Sequence, residues 1–255
     1  MRLGCAAYSY RDWLTTGRMD LEGFVTLCAD LGCDGVELTS YYFPSVEPDY
    51  LARLRRHLFR TGLAPSGAAV GGSFCEPTEE ARAAHVASVK EWVDRAAFLG
   101  APCLRVFAGA APEGVTEEIA AGWVADGIRS CADYSALRGV MVTLENHGGL
   151  TATAEQTLTL LRAIDHEWVG LNLDCGNYRV DPYREIADTA RSAVTVHAKV
   201  SSDSPSGRFV MDWLRVVETL RKAGFRGYLN VEFEEPQDPG EGVPPFLDVL
   251  KRALA

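Results

Sequence analysis

The chain has 255 residues, of which 47% are hydrophobic and 24% are charged, so one large domain with a sizeable core is expected. The formal net charge of −10 disfavours a nucleic-acid partner, because phosphate backbones are bound through an excess of Lys and Arg. No apolar run reaches about 18 residues, so no membrane span is expected.

The seven cysteines are odd in number, include no C-x-x-C pair and lie mostly within apolar segments. This usage is typical of reduced core residues in a cytosolic protein. The N-terminus turns polar too soon for a signal peptide and is expected to form a first strand. These features predict a cytoplasmic location.

Strand-like and helical segments alternate along the first half of the chain. The predicted strands are Leu3–Tyr8, Gly35–Leu38, Leu63–Val70 and Cys103–Phe107. The predicted helices are Leu21–Leu31, Asp49–Thr61 and Thr78–Leu99. Each of these helices is followed by a glycine, the residue that most often ends a helix.

The second half keeps the same alternation. Its predicted strands are Val140–Leu144, Val169–Leu173, Ala193–Val196 and Tyr228–Val231. Its predicted helices are Thr116–Leu137, Thr153–Ile164, a short one after Pro182, Asp212–Ala223 and Pro245–Leu254. The polar stretch Ser201–Gly207 is predicted to be a loop.

Eight strands that alternate with eight helices over about 250 residues predict a (β/α)8 barrel, with residues 1–255 forming a single domain. A doubly wound open sheet is the alternative. It would require a glycine-rich phosphate turn after the first strand. The segment Ala7-Tyr8-Ser9-Tyr10 is not such a turn, so the barrel is favoured.

Four consecutive strands each end in a side chain that can bind a metal: Glu145, Asp174, His197 and Glu232. Active groups of such barrels lie at the carboxyl ends of the strands, so these four are expected to converge. Three carboxylates and one imidazole suit one divalent ion such as Mn²⁺, Mg²⁺, Co²⁺ or Zn²⁺. The alternative, a metal-free ion-pair network, would leave clustered negative charges without a cation.

Further strand-end side chains are candidates for substrate binding. His147 and Lys199 lie two residues beyond Glu145 and His197, so strand alternation directs them to the same face. His147 is expected to hydrogen-bond a substrate hydroxyl or to be a structural loop residue, and Lys199 to orient a substrate oxygen or to offset the carboxylates. Glu37 and Arg105 are expected either to contact the substrate or to pair with each other.

At these residues the chain resembles the xylose isomerase-like TIM barrel superfamily, specifically its sugar phosphate isomerase/epimerase group. The resemblance spans nearly the whole chain. Its markers are Leu144-Glu145-Asn146-His147-Gly148-Gly149, Asp174-x-Gly176-Asn177, His197-x-Lys199 and Val231-Glu232-Phe233.

The resemblance implies roles for these positions. It makes Glu145, Asp174, His197 and Glu232 the four ligands of one divalent metal ion, and Glu145 and Glu232 also the catalytic acid/base pair on opposite faces of the substrate carbon. Asn177, which we include among the substrate-binding residues, stands where many epimerases have a histidine. Val200 stands where many relatives have an aspartate.

The predicted activity is therefore a divalent-metal-dependent isomerase or epimerase of a sugar or sugar phosphate, working through a metal-stabilised enediolate. An inosose-type polyol dehydratase is an alternative, because the same intermediate can expel a β-hydroxyl group. A zinc-dependent, endonuclease IV-like DNA-repair enzyme would need further ligands and a basic surface, and a non-catalytic sugar-binding role would not need the full ligand set. The expected partner is a small carbohydrate, and the oligomeric state stays open.

Overall fold

The computed structural model describes residues 1–255, and eight of its strands close into one parallel barrel. The barrel strands are β1 (Arg2–Ala6), β2 (Gly35–Thr39), β3 (Ala64–Ala69), β4 (Cys103–Phe107), β5 (Met141–Glu145), β6 (Val169–Asp174), β7 (Ala193–Ala198) and β10 (Tyr228–Val231). Pairing between β1 and β10 closes the circle. The predicted (β/α)8 architecture is confirmed.

Nine helices surround the barrel. They are α1 (Arg11–Thr15), α2 (Leu21–Asp30), α3 (Pro48–Thr61), α4 (Glu79–Leu99), α5 (Glu117–Ala136), α6 (Ala154–Ile164), α7 (Pro182–Thr189), α8 (Trp213–Ala223) and α9 (Pro239–Leu254). Short 3-10 turns cover Ala7–Tyr10, Ser40–Tyr42 and Ala190–Ser192. None of the helices combines the length and apolar character needed to cross a bilayer.

Local sequence explains where many of the helices begin and end. The side chains of Thr78, Thr116 and Thr153 accept hydrogen bonds from backbone N–H groups of the first turns that follow them. Such caps satisfy donors that have no partner within the helix. Gly62 and Gly100 end α3 and α4 in the left-handed conformation, as their positions predict.

Three predictions of local structure are wrong: two element boundaries and one loop. The first strand ends at Ala6, and the chain then enters a 3-10 turn. The polar stretch after β7 is not a loop but an antiparallel hairpin of β8 (Ser201–Ser204) and β9 (Gly207–Val210). The last helix begins at Pro239, because the Asp238 side chain accepts a hydrogen bond from Gly240 N (2.8 Å) and caps it there.

The apolar core lies mainly between the strands and the helices, and the barrel interior contains a polar network. Ser66 Oγ donates to Asn230 Oδ1 (2.6 Å), and Asn230 Nδ2 donates to Thr195 Oγ1 (3.0 Å). Since β3 and β10 are not neighbours, the first of these bonds crosses the interior. A Cβ atom at Gly4 would lie 2.0 Å from Asn230 Oδ1, so this position requires glycine. All seven cysteines are unpaired and buried.

Candidate active site

The four predicted ligands converge at one side of the barrel mouth. Glu145 and Asp174 are the last residues of β5 and β6, His197 lies near the end of β7, and Glu232 directly follows β10. These four strands are consecutive neighbours in the barrel, and Asp174 pairs in register with His197. The four side chains are nearly completely buried, with at most 5% of any residue exposed.

The Nδ1 atom of His197 faces three carboxylates. It lies 3.5 Å from Glu145 Oε2, 3.8 Å from Asp174 Oδ2 and 3.4 Å from Glu232 Oε1. Donor atoms of Glu145, Asp174 and His197 lie within 4.8 Å of one another, and Glu232 stands beside this compact set rather than in it. The arrangement is one imidazole nitrogen and several carboxylate oxygens directed at a common point.

Two atoms at this point have unsatisfied hydrogen-bonding capacity. His197 Nδ1 and Asp174 Oδ2 are buried and make no hydrogen bond, although Lys199 Nζ lies 3.1 Å from the latter. Buried polar atoms almost always have a partner, so such exceptions need an explanation. A divalent cation that prefers mixed O/N ligands would satisfy both atoms, and the donor set fits one.

Glu37 fixes the orientation of the His197 ring. Both of its carboxylate oxygens lie 3.0–3.1 Å from His197 Nε2, a contact that crosses the barrel from β2 to β7. If Nε2–H donates to Glu37, the lone pair of Nδ1 is left free for a cation, an arrangement common in metal sites. Glu37 is only 1% exposed and does not line the cavity of about 210 Å³ that opens at the barrel mouth.

The expected ion pair between Glu37 and Arg105 is absent. Arg105 Nε instead lies 3.1 Å from Glu145 Oε2, and both side chains are at most 4% exposed. Asn172 Nδ2 donates to the same oxygen at 2.9 Å. Glu145 is therefore held in one orientation by a cation and an amide.

Lys199 is the cationic centre of the site. Its Nζ lies 3.1 Å from Asp174 Oδ2, 3.2 Å from Glu232 Oε2 and 2.6 Å from Glu234 Oε2. Burial would lower the pKa of the Lys199 ammonium, but these carboxylates raise it well above its ordinary value. Lys199 therefore stays charged, and of the two expected roles the geometry favours offsetting the carboxylates.

The carboxylates respond differently to this environment. Burial raises the pKa of the Asp174 carboxyl to about 8, against the lowering effect of Lys199. Burial also acts to raise the pKa of Glu232, but His197 and Lys199 outweigh it and hold that pKa well below its ordinary value. Glu232 is accordingly a carboxylate at neutral pH.

Asn177 and His147 lie at the edge of the site. Asn177 Oδ1 accepts from Lys199 Nζ at 3.3 Å, and Asn177 Nδ2 lies 3.5 Å from Glu145 Oε1. The His147 ring packs against Phe107 with centroids 4.4 Å apart. Asn177 therefore lies beside Glu145, and His147 lines the cavity at the barrel mouth together with Glu145 and Glu232.

Sequence reasoning missed three supporting residues. Glu234 pairs with Lys199, and Asn172 holds Glu145, as described above. Asn146 exchanges two hydrogen bonds with the backbone of Asp174, at 2.8 and 2.9 Å. Glu234 and Asn172 lie two residues from Glu232 and Asp174, so the alternation that indicated Lys199 could have indicated them as well.

A cavity of about 210 Å³ opens above these groups, and we call it the inner cavity. This volume is below the roughly 300–1,000 Å³ of pockets for drug-sized ligands, so a small molecule is the better fit. The lining residues are Tyr8, Tyr41, Arg105, Phe107, Glu145, His147, Lys199, Glu232 and Glu234.

Sequence comparison assigns the family. The model of the xylose isomerase-like TIM barrel matches residues 25–253. The chain belongs to the xylose isomerase-like TIM barrel family. No curated protein matches the chain.

Solved structures of this family share the fold over nearly the full length of the chain. D-psicose 3-epimerase from Clostridium cellulolyticum H10, solved with D-tagatose, has a TM-score of 0.83 at 17% identity and covers 100% of this chain and 99% of its own. A xylose isomerase-like TIM barrel protein from Mycobacterium smegmatis, in complex with magnesium, has a TM-score of 0.74 at 17% identity, with 100% and 98% covered. The probable 3-DHS dehydratase AsbF from Bacillus anthracis has a TM-score of 0.75 at 17% identity, again with 100% and 98% covered. At these identities the likeness establishes the fold, and the reaction has to be argued from the site.

Proposed function

We propose that this chain is a divalent-metal-dependent isomerase or epimerase of a small sugar or sugar phosphate. The observation that carries the proposal is His197 Nδ1, which is buried, unpartnered and within 3.8 Å of three carboxylates. Glu145, Asp174 and His197 would hold the ion, with Glu232 as the fourth ligand. When bound, the ion would supply Lewis acidity that stabilises negative charge on the substrate oxygens.

The chain's own carboxylates would move the proton. Glu145 ends β5 and Glu232 follows β10, with β6 and β7 between these strands, so the two glutamates reach the inner cavity from separate positions on its wall. One takes a proton from the carbon next to the carbonyl group, and the other returns a proton. Return to the opposite face of the same carbon gives an epimer. Return to the former carbonyl carbon, with transfer of the neighbouring hydroxyl proton to the former carbonyl oxygen, gives an isomer.

The charges and hydrogen bonds around the two glutamates support their roles in proton transfer. Lys199 Nζ lies 3.2 Å from Glu232 Oε2 and favours the ionised form of Glu232, which is the form that can accept a proton. Arg105 and Asn172 hold Glu145 in a fixed orientation. Such positioning is a recognised source of rate acceleration. Tyr8, Tyr41 and Phe107 line the same cavity and would restrict water near the reacting carbon.

A polyol dehydratase is the second candidate, because the same enediolate can expel a β-hydroxyl group; the probable 3-DHS dehydratase shares the fold at 17% identity. Elimination requires an acid that protonates the departing hydroxyl group. Lys199 lies nearby, but its raised pKa makes it a weak acid for this role. An epimerase needs only the two glutamates, so we rank it first.

A DNA-repair nuclease is disfavoured. The formal charge of −10 opposes binding to a phosphate backbone. One compact group of three metal-capable side chains is found, which suits one ion better than a multi-metal cluster.

Solvent exchange tests the proposed reaction. Protein loaded with Mn²⁺ is incubated in ²H₂O with a panel of ketoses, ketose phosphates and inososes, and the products are read by NMR. We expect deuterium at one substrate carbon together with an epimer or isomer, and no exchange by protein dialysed against EDTA. Loss of a hydroxyl without an epimer would favour the dehydratase, and no turnover of any panel member would refute the proposal.

A further inference from the structure

A second cavity, of about 400 Å³, adjoins the inner cavity, and we call it the outer cavity. Its lining includes Gly148, Thr153 and Arg179 together with His147, which also lines the inner cavity. Asn177 lines it too, and its Nδ2 lies 3.5 Å from Glu145 Oε1. A substrate held beside the carboxylates would therefore extend into the outer cavity.

The two cavities differ in charge. The inner cavity is lined by three glutamates together with the paired cations Arg105 and Lys199, and no Asp or Glu lines the outer cavity. The outer cavity presents hydrogen-bond donors instead: the guanidinium group of Arg179, the amide of Asn177 and the hydroxyl group of Thr153. An anionic group would find unpaired hydrogen-bond donors in the outer cavity, whereas the cationic side chains of the inner cavity already pair with carboxylates.

Arg179 differs from the other Lys and Arg residues that line the cavities at the mouth in having no carboxylate partner. Arg105 pairs with Glu145 (3.1 Å), Lys199 pairs with three carboxylates, and Arg208 pairs with Glu235 (2.8 Å). No Asp or Glu oxygen lies within the 4.0 Å of Arg179 that would define an ion pair, although Arg179 also lines a smaller neighbouring cavity that contains Asp203, Glu234 and Glu235. The neighbouring Tyr178 is fully buried, so the backbone that carries Arg179 is anchored.

We propose that Arg179 selects substrates that carry a carboxylate or a phosphate at the end remote from the reacting carbons. This inference rests on the proposed function, because it places the reacting end of the substrate beside Glu145 and Glu232. The planar guanidinium fork matches the geometry of both anions and can bind either through two hydrogen bonds. Attraction of the anionic end to the outer cavity would also favour one orientation of the substrate on entry.

Ligands that differ only at the terminal carbon remote from the carbonyl group test the proposal. Binding of D-fructose, D-fructose 6-phosphate and D-fructuronate to Mn²⁺-loaded protein is measured by calorimetry, together with D-ribulose and D-ribulose 5-phosphate. We expect at least one anionic member to bind about tenfold or more tightly than its neutral counterpart. The phosphate and carboxylate arms identify which anion is preferred, and the preference should shrink in high salt because Arg179 is exposed.

Substitutions at Arg179 test whether this residue causes the preference for anionic ligands. Arg179→Gln should lower the ratio of anionic to neutral affinity about tenfold, and Arg179→Lys should restore part of it. Arg191→Gln is the matched control, because Arg191 is also exposed but precedes β7, at the opposite end of the barrel. It should leave the ratio unchanged.

Each outcome has a defined consequence. Equal affinities for anionic and neutral members, including undetectable binding of both, overturn the proposal, as does a full preference in Arg179→Gln. An anionic preference without any solvent exchange would refute the proposed reaction and leave the assignment of Arg179 standing. Exchange on neutral sugars without an anionic preference would support the proposed reaction and overturn the assignment of Arg179.

Discussion

His197 uses its two ring nitrogens for different purposes. Nε2 contacts the Glu37 carboxylate at 3.0–3.1 Å, and Nδ1 faces the candidate metal position. The charge on Glu37 favours the tautomer that keeps the proton on Nε2, and it makes Nδ1 more basic. Glu37 is thus a positioning residue, although it does not line the inner cavity.

We expect Glu37→Gln to weaken metal binding about ten- to hundred-fold, since partners of ligating histidines typically have effects of this size. The substitution keeps the volume of the side chain and an oxygen that can accept from Nε2–H. Calorimetric titration with Mn²⁺ measures the change. Glu218→Gln, on the exposed face of α8, serves as the control. Unchanged affinity in Glu37→Gln would show that the contact does not tune the site.

Replacing either proposed proton-transfer residue should stop the chemistry. Glu145→Gln and Glu232→Gln each keep a ligand oxygen but lose the carboxylate that accepts a proton. General acid–base catalysis contributes about 10²–10⁴-fold, so turnover and incorporation of deuterium from ²H₂O should fall by at least this range. His147→Ala should be milder and raise KM more than it lowers kcat.

Metal content separates the two roles of these glutamates. It is measured on the same preparations of Glu145→Gln and Glu232→Gln by elemental analysis. If either variant keeps both its metal and near wild-type exchange, that glutamate is a ligand only. The base would then have to be sought at His147 or Lys199.

Strand alternation made much of the site predictable from the sequence. An apolar run that ends in Glu145, Asp174 or His197 identifies the carboxyl end of a strand, and Lys199 follows from the same periodicity. The partner of Glu37 was not predictable, because the contact joins β2 to β7 across 160 residues of sequence. Both Arg105 and His197 were chemically suitable partners, and only the closed barrel decides between them.

The turn between β5 and α6 places His147 at the mouth and depends on two glycines in the left-handed region. Gly148 has φ 71° and open space around its Cα. Gly149 has φ 51°, and a Cβ atom there would lie 2.3 Å from the carbonyl oxygen of Gly109. That oxygen also accepts a hydrogen bond from Leu150 N (3.1 Å), so it is not free to move.

Alanine substitutions at these two positions should therefore differ. Gly148→Ala carries only the left-handed strain and should lower the free energy of unfolding by about 1–2 kcal/mol. Gly149→Ala adds a backbone clash and should cost about 1 kcal/mol or more beyond that. Urea unfolding of the two variants gives the comparison. Equal losses of unfolding free energy in the two variants would mean that the backbone at Gly109 moves away from the added Cβ atom at little cost.

At the scale of elements, the missed boundaries have local causes. The sequence predicts that the last helix begins at Pro245. The Asp238 cap and Pro239 start the helix earlier, and Pro244 and Pro245 lie inside it. The hairpin β8–β9 was missed because Ser-Ser-Asp-Ser has weak strand propensity. Cross-strand pairing from Ser201 to Val210 overrides that preference.

At the scale of the whole molecule, the burial of ionisable groups in the site affects folding stability. Burial raises the pKa of Asp174 to about 8, which means that its charged form is disfavoured in the metal-free protein. His197 Nδ1 and Asp174 Oδ2 also lack hydrogen bonds. A cation bound between them would remove these penalties, so metal binding and folding stability should be coupled.

Thermal unfolding measures this coupling directly. A ligand that binds only the native state at about 100 times its Kd adds about 2.7 kcal/mol, which for a chain of this size corresponds to a rise in Tm of about 5–10 °C. We expect this rise for wild-type protein with Mn²⁺ relative to protein with EDTA. Asp174→Asn should lose most of it, whereas Asp188→Asn, an equivalent change on exposed α7, should keep it. A wild-type Tm that does not respond to Mn²⁺, Mg²⁺, Co²⁺ or Zn²⁺ would contradict a metal site. An equal rise in Asp174→Asn would place the ion elsewhere.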